Sequence, residues 1–215
     1  MRAYIYVGGD VNTANITERP EQGDLVIAAD SGWDNALALG QHPTVLLGDF
    51  DSIRAKDIPA DVEIYRAPTD KDQTDTRLAV DLALTKGASE IVIIGGLSGR
   101  LDHTLGNLGI LEFLGERRVH AHITDGNNRV RFLRNASTLL PRGGFRYLSL
   151  LPADAAIRGV DVDGCKYRLK NAKLRRNNAA YSVSNELVGN CAFIAVRKGA
   201  MFIIESKDAK ETDNV

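Results

Sequence analysis

The sequence has few cysteines, almost no net charge and no long apolar run. Its 215 residues include only Cys165 and Cys191, which are too few for a disulfide scaffold or a cysteine-rich zinc site. The 27 Lys and Arg residues nearly balance the 28 Asp and Glu residues, for a net charge of -1. A general nucleic-acid-binding protein needs a surplus of positive charge, so we expect no nucleic-acid partner.

The apolar runs are too short for a membrane protein. No uninterrupted run approaches the roughly 18 residues that would cross a bilayer, and the run within residues 1–8 is too short for a signal peptide. We therefore expect a cytoplasmic protein with no membrane partner. The hydrophobic content of 44% is ordinary for a globular protein, and the length allows one large domain or two small ones.

Charge and hydrophobic pattern both change near residue 126. Residues 1–128 contain 20 Asp and Glu against 11 Lys and Arg, whereas residues 129–215 contain 8 against 16. Before the turn-rich segment 125–128, short apolar runs alternate with helical segments, which predicts a parallel sheet with helices on both faces. After it, short strand-like runs separated by glycine turns predict an antiparallel sandwich.

The predicted fold class is therefore α/β, with an N-terminal mainly parallel α/β sheet domain over residues 1–126 and a C-terminal antiparallel β-sandwich over residues 127–215. In the N-terminal domain we predict strands at 4–7, 25–29, 45–47, 62–65 and 91–94, and helices at 32–39, 73–86 and 102–114. In the last helix, Leu101, Leu105, Leu108 and Leu111 fall on one stripe and predict a buried face. In the C-terminal domain, segment 181–184 is one of the predicted strands.

An acidic motif follows the predicted strand at 45–47. If this segment stays extended, Asp49 and Asp51 point the same way while Phe50 turns inward. Two adjacent carboxylates repel each other unless a cation neutralises them, and hard oxygen ligands suit Mg²⁺. The alternative is a solvated turn, which aspartate also favours.

A second acidic motif opens the predicted helix at 73–86. Asp72 is a natural N-cap, and Asp75 three residues later resembles a capping box, so capping alone would explain either residue. Three aspartates around Lys71, namely Asp70, Asp72 and Asp75, are more than a cap requires, which favours a binding role. Both interpretations stay open on this motif alone.

A glycine-rich turn follows the predicted strand at 91–94. Gly95, Gly96 and Gly99 let backbone N–H groups approach phosphate oxygens at the start of a helix, and Arg100 adds a planar cationic fork. The spacing is neither that of a P-loop nor that of a dinucleotide fingerprint. Acidic metal ligands, glycine turns and cations at the ends of several strands together predict phosphoryl-type transfer.

In this order the motifs resemble those of the thiamine pyrophosphokinase family. The resemblance rests on residues 48–52, on Asp72-x-Thr74-Asp75 and on residues 95–103, with Ala29-Asp30-Ser31-Gly32 before them and residues 183–186 after them. It implies transfer of a pyrophosphoryl group from ATP to the hydroxyl of thiamine, with release of AMP. It also implies a homodimer whose active site lies at the subunit interface.

The resemblance assigns roles by position. Asp49, Asp51 and Asp75 would hold Mg²⁺ and form the catalytic set together with Arg100 and Asp102. Ser184 and Asn185 would bind thiamine, and either Asp102 or Asp72 would accept the hydroxyl proton. The residues implied for the ATP phosphates are Asp30, Lys71, Asp72, Thr74, Gly95, Gly96, Gly99, Arg100 and His103.

Two other functions fit the same residues. One is a pyrophosphokinase acting on a different small alcohol, such as a hydroxymethylpterin. The other is a non-catalytic sensor of a nucleotide or of thiamine on the same fold, although binding without transfer would not need three carboxylates poised for a metal. Incubation with Mg·ATP and thiamine separates these functions, because only a thiamine pyrophosphokinase forms AMP together with thiamine diphosphate.

Overall fold

The computed structural model describes residues 1–48, 58–66, 73–178 and 182–208, and the chain divides into two compact units, Met1–Gly126 and Asn127–Val215. In the described parts of the chain, no helix combines the length and apolar character needed to cross a bilayer. In chain order, the N-terminal unit contains β1 (Arg2–Tyr6), a 3₁₀ turn (Thr13–Asn15), β2 (Leu25–Ala29), α1 (Gly32–Ala38), β3 (Val45–Gly48), β4 (Glu63–Arg66), α2 (Asp75–Thr85), β5 (Glu90–Ile94), α3 (Leu101–Glu116) and β6 (His120–Thr124).

The strands of the N-terminal unit pair in parallel in the order β6-β5-β1-β2-β3-β4. In β1, β2 and β5, four of five residues are buried, and these strands are nearly continuous apolar runs. Such continuous apolar runs are typical of a parallel sheet whose two faces are both covered by helices. The α/β class predicted for this half of the chain is confirmed.

Helices pack on the two faces of this sheet. Tyr4, Tyr6 and Ile94 form one apolar cluster with Ala36 and Leu39 at α1. Because side chains alternate along a strand, the neighbouring aliphatic residues of β1 and β5 point to the opposite face. There α2 and α3 contact each other and lie against strands of the sheet.

The strand order contains a switch point between β1 and β5. From β1 the chain moves outward in one direction through β2, β3 and β4, and it then returns to place β5 on the other side of β1. In open α/β sheets, ligands bind in the crevice at the carboxyl ends of strands where the order reverses. The strand order alone therefore predicts a ligand site at the carboxyl ends of β1 and β5.

The C-terminal unit is built from strands alone among its described residues. Its strands pair antiparallel as β12-β9-β14-β7 and as β11-β10-β13-β8. They are β7 (Asn128–Arg134), β8 (Ser137–Pro141), β9 (Tyr147–Pro152), β10 (Ala156–Asp163), β11 (Leu169–Arg175), β12 (Asn185–Glu186), β13 (Cys191–Lys198) and β14 (Ala200–Ser206).

One apolar core joins the two layers of this unit. Leu148, Leu150 and Ile203 from the first layer pack with Val160 and Ile194 from the second, as in an antiparallel sandwich. The strand predicted at 181–184 is wrong for residues 182–184, which form bends, and the strand is Asn185–Glu186 instead. Ser184 has a φ of +56°, a left-handed conformation that an extended strand does not contain.

The predicted leucine stripe of α3 is only partly buried. Leu111 is fully buried, but Leu101 and Leu105 are 70% and 58% exposed. The helix has 16 residues and is therefore about 24 Å long, whereas a five-residue strand such as β5 spans about 16 Å. The neighbouring strands therefore cannot cover the whole length of α3, and the buried face is formed by Asn107, Ile110, Leu111 and Leu114.

Candidate active site

A cavity of about 380 Å³ lies in the N-terminal unit at the carboxyl ends of its strands. Its walls come from the residues that follow β1, β2 and β5 and from the first turns of α2 and α3. This is the switch point of the strand order. Three of the segments singled out in the sequence, those around Asp30, Asp75 and Arg100, line the same cavity.

Two glycine turns form one wall of the cavity. Gly95 has a φ of +100°, and a Cβ atom there would lie 2.5 Å from the carbonyl oxygen of Val7. The N–H group of Gly96 donates to the carbonyl oxygen of Gly8 at 2.9 Å. The turns after β1 and β5 therefore touch through their backbones, and glycine is required at Gly95 for both its conformation and the close approach.

Asp30 lies at the end of β2 in a left-handed conformation, with a φ of +50°. Aspartate tolerates this conformation better than most residues do, and its N–H donates to the carbonyl oxygen of Leu47 at 2.9 Å. A Cβ atom on Gly48 would lie only 2.3 Å from Oδ1 of Asp30. The Asp30 carboxylate thus packs against the backbone that leads directly into Asp49.

Thr74 caps the N-terminus of α2, with its Oγ1 accepting a hydrogen bond from the N–H of Arg77 at 3.3 Å. The prediction that Asp72 is the N-cap is wrong, because the helix begins at Asp75 and the capping position therefore falls on Thr74. Asp75 is the first helical residue and lines the cavity. Its carboxylate stands at the positive end of the helix dipole.

Arg100 and Asp102 form a bidentate ion pair at the start of α3. Nε of Arg100 donates to Oδ1 at 3.1 Å, and Nη2 donates to Oδ2 at 2.6 Å. Both side chains are exposed, at 74% and 63%. The hydrogen bond from Arg100 lowers the pKa of Asp102 below its ordinary value, and the same bond raises the pKa of Arg100.

His103 follows this pair and also lines the cavity. Its backbone N–H donates to Oδ1 of Asp102 at 3.0 Å, so the carboxylate is held from two directions within the first turn of α3. Of the residues predicted for phosphates and catalysis, the structure brings the following to the cavity wall: Asp30, Thr74, Asp75, Gly96, Gly99, Arg100 and His103.

Four predicted site residues, Asp49, Asp51, Lys71 and Asp72, lie outside the described residues. Within the residues that are described, no group of three or more His, Cys, Asp or Glu side chains is arranged to hold a metal ion. Two of the three predicted metal ligands, Asp49 and Asp51, are among these four, so Asp75 is the one predicted ligand within the described part of the chain.

The residues predicted to bind thiamine lie in the C-terminal unit. Asn185 is half-buried, its Oδ1 accepts from the N–H of Tyr167 at 3.0 Å, and its Nδ2 donates to the carbonyl oxygen of Tyr167 at 2.8 Å. Ser184 is exposed, and its N–H donates to Oγ of Ser149 at 3.0 Å. The Asn185 side chain thus holds the backbone of a neighbouring turn, which leaves the exposed Ser184 hydroxyl as the more accessible group.

The sequence predictions omitted several residues of the cavity wall. Gly8 and Gly9 follow β1 directly, and Ser98 and Asn107 come from the turn and helix after β5. Gly8 and Gly9 directly follow a buried strand, which is the same pattern that indicated Gly95 and Gly96. This pattern could therefore have predicted them from the sequence. Asn107 carries no such local signal, since it lies within a helix.

Two protein families match this chain. Residues 18–123 match the family described as thiamin pyrophosphokinase, catalytic domain, and residues 137–201 match thiamin pyrophosphokinase, vitamin B1 binding domain. Together the matches cover most of both compact units.

Individual relatives agree with the family matches. Thiamine pyrophosphokinase of Bacillus subtilis (strain 168) is 30% identical over 220 residues, covering 95% of this chain and 98% of the relative. The crystal structure of thiamine pyrophosphokinase from Bacillus subtilis superposes with a TM-score of 0.85 at 29% identity, covering 97% of this chain and 100% of that one. Thiamin pyrophosphokinase from Geobacillus thermodenitrificans gives a TM-score of 0.83 at 26% identity, covering 98% and 99%.

Proposed function

This chain belongs to the thiamine pyrophosphokinase family, and we propose that the cavity at the β1–β5 switch point is where it binds the ATP whose pyrophosphoryl group it transfers to thiamine. The observation that carries the proposal is the convergence of two glycine turns, Arg100 and two carboxylates on one cavity. Glycine turns and helix N-termini suit phosphate oxygens. Carboxylates beside them suit the metal that accompanies a polyphosphate.

The donor chemistry fits Mg²⁺. Asp75 lines the cavity, and the Asp30 carboxylate packs against Gly48, the residue before Asp49. We assign Asp49, Asp51 and Asp75 as the residues that would hold the ion, since all three offer the hard oxygen ligands that Mg²⁺ prefers. When bound, the ion would neutralise negative charge on the pyrophosphoryl oxygens.

In the proposed step, the hydroxyl oxygen of thiamine attacks the β-phosphorus of ATP. The new O–P bond forms as the bond from that phosphorus to the oxygen bridging to the α-phosphate breaks, and AMP leaves with the bridging oxygen. The β- and γ-phosphates move together, and the products are thiamine diphosphate and AMP. Arg100 and the turns at Gly8–Gly9 and Gly95–Gly99 orient the polyphosphate, because positioning and charge neutralisation do most of the catalysis in such transfers.

The hydroxyl proton must pass to a base, and Asp102 and Asp72 are the candidates. Arg100 lowers the pKa of Asp102, which makes that carboxylate a weaker proton acceptor at neutral pH. The ion pair therefore favours a role for Asp102 in orienting the Arg100 guanidinium group rather than in accepting the proton. Asp72 remains the other candidate.

We further propose that the C-terminal unit binds thiamine through Ser184 and Asn185, and that the protein works as a homodimer with its active site at the subunit interface. The match of residues 137–201 to a vitamin B1 binding domain supports the thiamine-binding part of this proposal. The exposure of Ser184 and the fixed geometry of Asn185 fit a substrate contact built on a rigid turn.

The test is to incubate the purified protein with Mg·ATP and thiamine and to separate the products by chromatography. We expect AMP and thiamine diphosphate in equal amounts, both dependent on thiamine. ADP with thiamine monophosphate would contradict attack at the β-phosphorus. No thiamine-dependent turnover, combined with turnover on a hydroxymethylpterin, would move the assignment to a different alcohol.

A further inference from the structure

The two glycine turns of the cavity are held in place by asparagine side chains on α1 and α3. We infer that Asn35 and Asn107 are positioning residues that fix the phosphate-binding wall of the cavity. The inference rests on the proposed ATP site. It concerns residues that the motifs do not contain.

Asn107 holds the turn after β5. Its side chain is buried, with 5% of the residue exposed, and its Nδ2 donates to the carbonyl oxygen of Gly96 at 2.9 Å. Gly96 has a φ of +74°, and a Cβ atom there would lie 2.6 Å from that same Nδ2. The amide therefore occupies the space that any larger residue at position 96 would need.

Asn35 holds the turn after β1. Its Nδ2 donates to the carbonyl oxygen of Val7 at 2.8 Å and to that of Gly9 at 3.0 Å. Both partners are carbonyl oxygens, which only accept hydrogen bonds, so the amide nitrogen must be the atom that faces them. One side chain thus spans the turn and sets its curvature at Gly9, where φ is +99°.

The two turns form one unit. The N–H of Gly96 donates to the carbonyl oxygen of Gly8 at 2.9 Å, and the N–H of Asp10 donates to Oγ of Ser98 at 2.6 Å. A displacement of either turn is therefore transmitted to the other. Asn35 and Asn107 hold this unit from two different helices.

The chemistry of a polyphosphate explains why such anchoring matters. Carbonyl oxygens carry partial negative charge and repel phosphate when they face it, whereas an ordered turn can present N–H groups instead. The asparagine amides fix the directions of three carbonyl groups. Asn35 holds those of Val7 and Gly9, and Asn107 holds that of Gly96. Loss of an amide should therefore weaken ATP binding more than it weakens thiamine binding.

The experiment compares Asn35→Leu and Asn107→Leu with the wild-type protein. Leucine has nearly the shape of asparagine but cannot donate a hydrogen bond. We expect each substitution to raise KM for ATP about tenfold, because carbonyl groups that are no longer held in place can turn toward the phosphates and repel them, with KM for thiamine unchanged. Ile110→Val is the matched control, because Ile110 is a buried residue on the same helix as Asn107 and its loss of a methylene loosens packing without removing a donor.

A second readout does not depend on turnover. Trp33 is the single tryptophan of the chain and lies buried in α1, between Asp30 and Asn35 in sequence. Titration of its fluorescence with ATP should give dissociation constants that rise in parallel with KM. If Asn107→Leu does not fold, Asn35→Leu carries the test, since Asn35 is only half-buried.

The outcomes separate this inference from the proposed function. Variants with a lower Tm but a KM for ATP no higher than that of Ile110→Val would overturn the positioning role, even in an active enzyme. A wild-type protein that binds ATP without thiamine-dependent turnover would contradict the proposed function alone, and weaker ATP binding by both variants would still support the inference.

Discussion

At the level of a single residue, Asp75 has one role that the structure shows and one that we propose. As the first residue of α2 it complements the helix dipole, and as a cavity-lining carboxylate it is an assigned metal ligand. The two roles differ greatly in energy. A dipole contribution amounts to about 0.3–1 kcal/mol, whereas loss of a metal ligand removes several kcal/mol of transition-state stabilisation.

For Asp75→Asn we therefore expect turnover to fall by roughly a hundredfold or more, while the free energy of unfolding falls by no more than about 1 kcal/mol. Steady-state kinetics with saturating Mg·ATP and urea unfolding measure the two effects. Near-normal turnover with the same stability loss would leave Asp75 only its interaction with the helix dipole.

The Arg100–Asp102 pair predicts a pH effect with a definite sign. The hydrogen bond from Arg100 holds the pKa of Asp102 below its ordinary value of 3.8. A depressed carboxyl pKa contributes stability that is fully present above the ordinary value and is lost as pH falls through the depressed one. The effect is confined to acid conditions below about pH 4, and Asp102 stays ionised throughout the neutral range.

In Arg100→Ala we expect the pKa of Asp102 to rise toward its ordinary value, as followed by NMR titration of its side-chain carboxyl carbon. Arg117→Ala is the control, because Arg117 lies at the other end of α3 and should leave the Asp102 titration unchanged. An unchanged pKa in Arg100→Ala would mean that the ion pair does not persist in solution.

At the scale of elements, the segment that runs from the end of β5 into α3 contains glycines of two kinds. Gly95 has a left-handed φ and no room for a Cβ atom, whereas Gly106 lies within α3 with no atom in reach of an added Cβ. Their replacement by alanine should therefore change stability in opposite directions. Strained backbone costs about 1–3 kcal/mol, and a glycine within a helix costs about 0.5–1 kcal/mol relative to alanine.

We expect Gly95→Ala to destabilise the protein by at least about 1–3 kcal/mol and to weaken ATP binding, and Gly106→Ala to stabilise it by about 0.5–1 kcal/mol. Urea unfolding of both variants measures the difference. A destabilising Gly106→Ala would indicate that another surface covers α3 at this position.

The elements themselves differ in how far the sequence predicted them. Strands β1, β2 and β5 were predicted because a parallel sheet buried on both faces needs continuous apolar runs. β6 and β11 contain exposed polar residues such as His120 and Lys170, which interrupt the apolar pattern on which such predictions depend. Thr74 was missed as the cap because Asp72 offers the same capping chemistry two residues earlier.

At the scale of the whole molecule, charge is divided between the two halves of the chain. Residues 1–128 carry a net charge of -9 and residues 129–215 a net charge of +8. In the proposed homodimer, an acidic surface of one copy would meet a basic surface of the other, and such attraction is screened by salt over a Debye length of about 10 Å at 0.1 M.

We therefore expect sedimentation velocity to show a dimer at low ionic strength and a larger monomer fraction as the salt concentration rises toward about 1 M. Activity measured at the same salt concentrations should fall with the dimer fraction, because the proposed active site needs both copies. A monomer with full activity would contradict the interface site, and a dimer insensitive to salt would contradict the charge-based explanation.

Local sequence determined the chemistry of this protein and most of its N-terminal elements. Glycines after a buried strand, an arginine and aspartate pair at a helix start, and continuous apolar runs are all short-range patterns with direct physical causes. They were sufficient to predict the α/β fold and to propose phosphate binding beside Gly95, whereas the family followed from the resemblance of the motifs taken in order.

The tertiary structure decided which of these local features meet. The return of β5 to the free side of β1 created the switch point and brought Gly96 to within hydrogen-bond distance of Gly8. It also placed Asn35 and Asn107 against the two turns. These contacts depend on strand order, and strand order is set by the burial of whole sheet faces against helices, which no short stretch of sequence specifies by itself.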